Sequence, residues 1–168
     1  MDVIFLDVDG VLNNRQTTAR TPEKYIGVDD TLIDNLKYIV ENTGAEIVLS
    51  SDWKFEYDRA GKDHGTDMRY LIKHLAFHGL SIMDVTDGRS RGDNGRCHRG
   101  AEIADWLLSH LQVKHWVVID DVMFEDFNNE EIKRHLVLTS EYTSKGRIVK
   151  GLTRELAEDA VYILRYIT

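Results

Sequence analysis

The sequence predicts an α/β fold: a doubly wound parallel sheet, three layers deep, with helices on both faces. Three observations point there. Short apolar runs, at Val3 to Leu6, Glu46 to Ser51 and His115 to Ile119, are rich in β-branched and aromatic residues, the pattern of strands buried on both faces. Between them lie stretches with apolar residues at three-to-four spacing, and strands alternating with helices build parallel sheets through right-handed crossovers. Each run also ends in carboxylates or hydroxyls, at the strand ends where ligands bind in such sheets.

Each element has its own justification. Val3 to Leu6 runs straight into Asp7, Asp9 and Gly10. Asn13 to Gly27 is polar and irregular and holds the single proline, Pro22. Asp29, Asp30 and Thr31 then offer N-caps to a helix with Leu32, Leu36, Ile39 and Val40 on one face, closed by Gly44. After the second strand, Trp53 to Gly65 is polar and punctuated by glycine. Thr66 to His78 reads as a helix through Met68, Leu71, Ile72 and Leu75, with Gly79 as its stop. Ser81 to Val85 is a short strand, and Thr86 to Arg99 a loop. Gly100 to Leu111 is a helix whose inward face is predicted to be Ala104, Leu107, Leu108 and Leu111. The third apolar run ends in Asp120-Asp121. His135 to Leu138 is a further strand, and Leu152 to Ile167 a closing helix opened by Thr153, with Leu156, Ala160, Ile163 and Ile167 inward.

With 168 residues, 42% of them hydrophobic, the chain suits a single domain, 1–168, around one core. Its net charge of -8 disfavours polyanions over the surface as a whole, so any nucleic-acid contact must be local. The lone cysteine, Cys97, excludes an internal disulfide and fits a reducing compartment, the cytoplasm. The N-terminal apolar run is too short for a signal peptide or a membrane span.

Several carboxylates converging on one edge cannot all ionise without a counter-cation. A hard divalent ion solves this, and carboxylates without matching His or Cys spacing favour magnesium over zinc. Magnesium held this way commonly also takes substrate phosphate. A strand-end carboxylate can act as a nucleophile towards phosphorus, and one two residues on, pointing the same way, as general acid and base. Gly10 lets the backbone turn tightly there, Ser50 adds a hydroxyl, and an arginine at a helix start adds fixed positive charge.

Asp7-Val8-Asp9-Gly10-Val11 resembles the first motif of the haloacid dehalogenase (HAD) superfamily, Asp-x-Asp-Gly-Thr or Val after an apolar strand. Ile47-Val48-Leu49-Ser50 resembles its second motif, Arg99 in "RGAEIADWLL" its basic third, and Val117-Val118-Ile119-Asp120-Asp121 its acidic fourth. More narrowly, "LSSDW", "RGAEIADWL", "VVIDD" and "GLT" are similar to the small HAD domains associated with RNA-repair proteins. The resemblance implies a Rossmann-like, HAD-like fold and a magnesium-dependent phosphatase. In it Asp7 is nucleophile and metal ligand, and Asp9 is general acid/base and gives the metal its backbone carbonyl. Asp121 is a direct metal ligand, and Asp120 lies behind it. Ser50 binds the phosphoryl group, with Ser51 the alternative; Arg99 fills the third motif, with Arg96 and His98 close by. Lys54 departs from the Arg that relatives often carry after the tryptophan.

Neither Asn13 to Asp29 nor the insert near residues 52 to 65 is long enough for a folded cap, so no large cap domain is expected and the site should be open. Open sites suit large substrates, here a nucleotide or a nucleic-acid terminal phosphate. The alternatives are a sugar-phosphate type metabolite and a catalytically idle binding module. The segment Arg89 to Arg99 holds four arginines and a histidine, which reads either as an anion-binding flap or as a solvated loop. Trp53, Trp106 and Trp116 read as packing residues, although Trp53 adjoins the site.

Overall fold

The computed structural model describes residues 1–88 and 98–167. Strand β1 (Asp2–Leu6) occupies the middle of a five-stranded parallel sheet, because its apolar run has no polar face to offer solvent. On one side of it lie β2 (Glu46–Leu49) and then β3 (Ile82–Val85); on the other lie β4 (His115–Asp120) and then β5 (Leu136–Leu138). The order β3-β2-β1-β4-β5 makes the chain change direction across the sheet between β1 and β4. Leu6 pairs with Leu49 on one side and Ile119 on the other, so the three strands end level.

Successive side chains of β1 feed two cores. Ile4 and Leu6 pack with Leu36 and Ile39 of α1 (Asp30–Thr43), Met68 and Leu71 of α2 (Thr66–Phe77), and Ala160 and Leu164 of α5 (Arg154–Tyr166). Val3 and Phe5 face the other layer, α3 (Arg99–Ser109) and the short α4 (Glu130–Arg134), through Ile103, Trp106 and Ile132. The Phe5 ring meets Trp106 and Trp116 edge-on, at centroid distances of 5.4 and 6.2 Å. Those two tryptophans are packing residues. Asp29 caps α1 as its position suggests, accepting from Thr31 N, and Gly44 ends it in the left-handed conformation.

Helix α3 presents a different face from the one the sequence suggests, and α5 the expected face slightly rotated. In α3 the inward residues are Arg99, Glu102, Ile103 and Trp106, while Leu108 and Leu111 stand in solvent at 73% and 86% exposure. The apolar spacing is real but marks the outer stripe. The inner stripe carries two charged residues that are paired when buried, and a hydrophobicity pattern cannot see them. In α5 the buried residues are Ala157, Ala160, Val161 and Leu164, with Leu156 and Ile163 only partly covered. The segment after β5 holds an antiparallel hairpin, β6 (Ser140–Thr143) and β7 (Gly146–Val149), and α4 precedes β5; the sequence reading has neither.

The rotated face of α3 has a measurable consequence. Ile103→Ala should cost about 2–5 kcal/mol of unfolding free energy, whereas Leu108→Lys should stay within about 0.5 kcal/mol of the parent. Urea unfolding of the two variants checks this, and comparable losses would return Leu108 to the core.

Candidate active site

Every strand of the sheet is followed by a polar residue: Asp7, Ser50, Thr86, Asp121 and Thr139. The ladder runs on past the strands, with Asp7 N donating to Ile119 O at 3.0 Å and Ser50 N to Leu6 O at 2.9 Å. Asp7 is thus held on the sheet's own hydrogen bonds at the crossover between β1 and β4. Three residues on, the chain turns at Gly10 with φ +78°, where a Cβ would lie 2.2 Å from Asp121 Oδ2. Only glycine lets this turn approach the Asp120-Asp121 strand end so closely. Thr139 Oγ1 donates to Gly10 O at 2.7 Å, and Asn13 Oδ1 accepts from Gly10 N at 2.9 Å.

Asp9 projects into solvent yet has both oxygens held. Asn13 Nδ2 donates to Oδ1 and Trp53 Nε1 to Oδ2, each at 3.0 Å. Trp53 therefore packs against the core and also serves the site, in a short 3-10 helix (Asp52–Glu56) capped by Ser51.

Two arginines face these carboxylates. Arg99, the first residue of α3, is 5% exposed. Its Nη1 lies 2.9 Å from Asp7 Oδ1 and 3.1 Å from Asp120 Oδ2, its Nη2 lies 3.4 Å from Asp52 Oδ1, and its guanidinium sits over the Phe124 ring at 4.8 Å. Almost one turn along, Glu102 pairs with buried Lys54, whose Nζ also donates to Thr86 Oγ1 at 3.1 Å. That buried pair ties the 3-10 helix to α3 and fixes the arginine's approach. Arg147, on β7, pairs with the Asp121 carboxylate and donates to its carbonyl at 2.7 Å.

Burial pushes the Asp7 carboxyl above the ordinary carboxylate range, opposed by Arg99, the Ser51 hydroxyl and Val8 N. Asp120 is raised to about 8, by burial and by the neighbouring Asp7, against Arg99. Asp121 is raised to about 6, mainly by burial, with Arg147 opposing. One oxygen from each of Asp7, Asp120 and Asp121 lies within 4.8 Å of the others. This all-oxygen donor set fits a hard divalent cation, and the shared cause of the raised values, carboxylates crowded out of water, is what such an ion relieves.

Of the residues singled out in the sequence, Asp7, Asp9, Gly10, Ser51, Arg99 and Asp121 line one cleft of about 910 Å³. Ser50 is fully buried beside it, its Oγ without a hydrogen-bond partner among the described residues, so Ser51 is the hydroxyl that meets Asp7 and the cleft. Asp120 lies wholly beneath the surface. Arg96, Cys97 and the rest of the expected anion-binding flap, apart from His98 and Arg99, lie outside the described residues. Asn13, Asp52 and Arg147 escape the sequence reading. Of these only Arg147 has a local signal, since Ser144-Lys145-Gly146 sits between polar-apolar alternations and marks a hairpin.

The family model for the HAD domain in Swiss Army Knife RNA repair proteins matches residues 3–146. No curated protein matches the chain. Among the described residues, no helix is long and apolar enough to cross a membrane.

The crowded carboxylates predict a pH signature in the metal-free protein. A folded value raised above the unfolded 3.8 means that the group's stability contribution is complete below that pH and is lost as pH climbs through about 6 for Asp121 and about 8 for Asp120. With chelator present, wild type should therefore lose melting temperature relative to Asp120→Asn between pH 6 and 8, and a divalent cation should restore it. Thermal unfolding across that range tests this; parallel curves would refute it.

Proposed function

Since the chain belongs to the HAD domain family of Swiss Army Knife RNA repair proteins, we propose that it is a magnesium-dependent phosphomonoester hydrolase acting through an aspartyl-phosphate on Asp7. Its substrate is a nucleotide or the terminal phosphate of a nucleic acid. The observation that carries this reading is the carboxylate cluster of Asp7, Asp120 and Asp121 with the Arg99 guanidinium set against two of its members. The repair context of the family and a cleft of about 910 Å³ support the substrate class.

Asp7, Asp121 and the main-chain carbonyl of Asp9 would hold magnesium, with Asp120 behind them. When bound, the ion neutralises the carboxylates and draws charge from the phosphoryl oxygens. A carboxylate oxygen of Asp7 attacks phosphorus as the bond to the leaving alcohol breaks, and Asp9 gives that oxygen its proton. Asp9, now ionised, takes a proton from water, whose oxygen attacks the phosphorus of the acyl phosphate. The phosphorus–Asp7 bond breaks, releasing inorganic phosphate and restoring both acids. Arg99 meets charge developing on the phosphoryl group with a guanidinium already fixed in place. Asn13 and Trp53 keep Asp9 aimed at the leaving oxygen.

Turnover of an aryl phosphate with magnesium tests the reading. Asp7→Asn should lower kcat by at least about 10³-fold, the scale of losing a nucleophile. No turnover by wild type on a panel of phosphomonoesters would sink the enzyme reading.

Trp53→Phe makes a finer prediction. It removes the donor to Asp9 Oδ2 while keeping most of the ring, so it should slow an alkyl phosphate about 10-fold, a fraction of what general acid catalysis contributes. p-Nitrophenyl phosphate, whose leaving group needs little protonation, should be slowed much less. Equal losses on both substrates would show that Trp53 acts only on the fold.

A further inference from the structure

Beside the catalytic cleft runs a second groove of about 450 Å³. Asn14, Arg15 and Val149 line both, so the two adjoin. The second groove adds Arg147 and Lys150 and reaches Thr153, which caps the 13-residue helix α5. Among the described residues no carboxylate lines it, on a chain whose net charge is -8. Three cationic side chains thus border one concavity beside the cleft, Arg147 of them paired with Asp121, while the Glu155 carboxylate already occupies the N-terminus of α5.

The groove is built from elements tied together. Asn14 Nδ2 donates to Lys150 O at 3.0 Å and Leu152 N to Val11 O at 2.8 Å, joining the loop after β1 to the segment after β7. Asn14 N donates to Thr17 Oγ1 at 3.0 Å, and Asn14 Oδ1 accepts from Gln16 N at 2.8 Å, a compact turn that presents Arg15. Arg15 is exposed and forms no ion pair among the described residues. Lys150 pairs with Glu141 at 2.7 Å, both side chains about half exposed, the kind of surface pair that gives way readily to a stronger anion.

We propose that this groove is a second phosphate subsite, which holds a phosphate of the substrate other than the one transferred at Asp7. The inference rests on the phosphohydrolase reading and narrows it: the preferred substrate carries at least two phosphate groups. Arginine meets phosphate with paired donors and lysine with a point charge. Two sources share this chemistry, a nucleoside bisphosphate and a polynucleotide end whose next phosphodiester lies over Arg15 and Lys150.

The test compares wild type with the double variant Arg15→Glu, Lys150→Glu. The substrates, with magnesium, are phenyl phosphate, a nucleoside 3′,5′-bisphosphate and short oligonucleotides phosphorylated at either end. The selectivity ratio, kcat/KM for a multiply phosphorylated substrate over that for phenyl phosphate, should fall at least 10-fold, mainly through KM, and Arg15→Lys should retain most of it. A fall confined to the bisphosphate identifies a free nucleotide, and one confined to the oligonucleotides identifies a nucleic-acid end; either supports the subsite. Unchanged ratios, or an equal loss on all three classes, overturn it. Should the double variant not fold, Arg15→Gln, on an exposed turn, carries the same comparison. If wild type hydrolyses none of the three, the phosphohydrolase reading fails, and binding then judges the groove alone. Fluorescence anisotropy of a labelled oligonucleotide and calorimetry of the bisphosphate should both show weaker binding to the double variant, with the oligonucleotide's salt dependence reduced by about one contact per lost cation. Equal affinities would refute the subsite.

Discussion

The fold is organised around one guanidinium. Arg99 is buried between Asp7 and Asp120, carboxylates on the two strands that flank the crossover of the sheet. Like charges at that spacing, removed from water, would drive one another to protonate, and the arginine lets them coexist only because its own position is fixed. That position depends on α3 starting where it does. The start is set by the buried Lys54 and Glu102 pair, by Ile103 and Trp106 packed on the Phe5 face of the sheet, and by Gly100, where a Cβ would lie 3.0 Å from Asp126 and Ile132. Breaking such a pair from one side leaves a charge buried without compensation. The polar interior and the apolar core are therefore not separable: Phe5 lies two residues before Asp7 on the same strand, and α3 packs against the first while its opening residue pairs with the second.

This interdependence explains what the sequence reveals and what it hides. The strands are legible because a buried parallel strand is an apolar run with an abrupt end, and the polar residues at the ends, Asp7, Ser51 and Asp121, come together at the cleft. The topology follows from alternation, and the family from four short motifs in order. The face of α3 is illegible because its inner stripe is charged. Arg99 is marked for the site only by its motif, and Glu102 looks like a surface residue until its partner Lys54 is seen, distant in sequence. Trp53 is only half legible for the complementary reason: an aromatic residue suggests core, and only its indole N–H on Asp9 reveals a polar task. Ser50 and Ser51 are indistinguishable by spacing, and the 3-10 helix beginning at Asp52 is what turns the second towards the cleft.

The hairpin of β6 and β7 adds a layer of control that no strand of the main sheet supplies. Arg147 reaches Asp121 from outside, where Arg99 reaches Asp7 and Asp120 from beneath. Both partners of Arg147 in this contact belong to one residue, its carboxylate and its carbonyl, so the arginine braces the strand end as well as its charge. The same side chain borders the groove that runs towards α5. The groove and Asp121 consequently share a group, a direct electrostatic link between the outer surface and the carboxylate edge of the sheet.

Asp7 and Asp9, two residues apart, are held by opposite means. Asp7 is 6% exposed, fixed by the sheet's backbone ladder and paired with a cation. Asp9 is exposed and held by two neutral donors, the Asn13 amide and the Trp53 indole. A charge partner favours the ionised form and keeps a lone pair pointed in one direction, which suits a nucleophile. Neutral donors fix the orientation of Asp9 without adding a charge, and its exposure leaves it open to the cleft. Gly10 makes both possible, because its left-handed turn carries the chain away from Asp7's buried level to Asn13, whose side chain reaches back to grip Asp9. The different settings of two identical side chains thus follow from where one glycine bends the backbone.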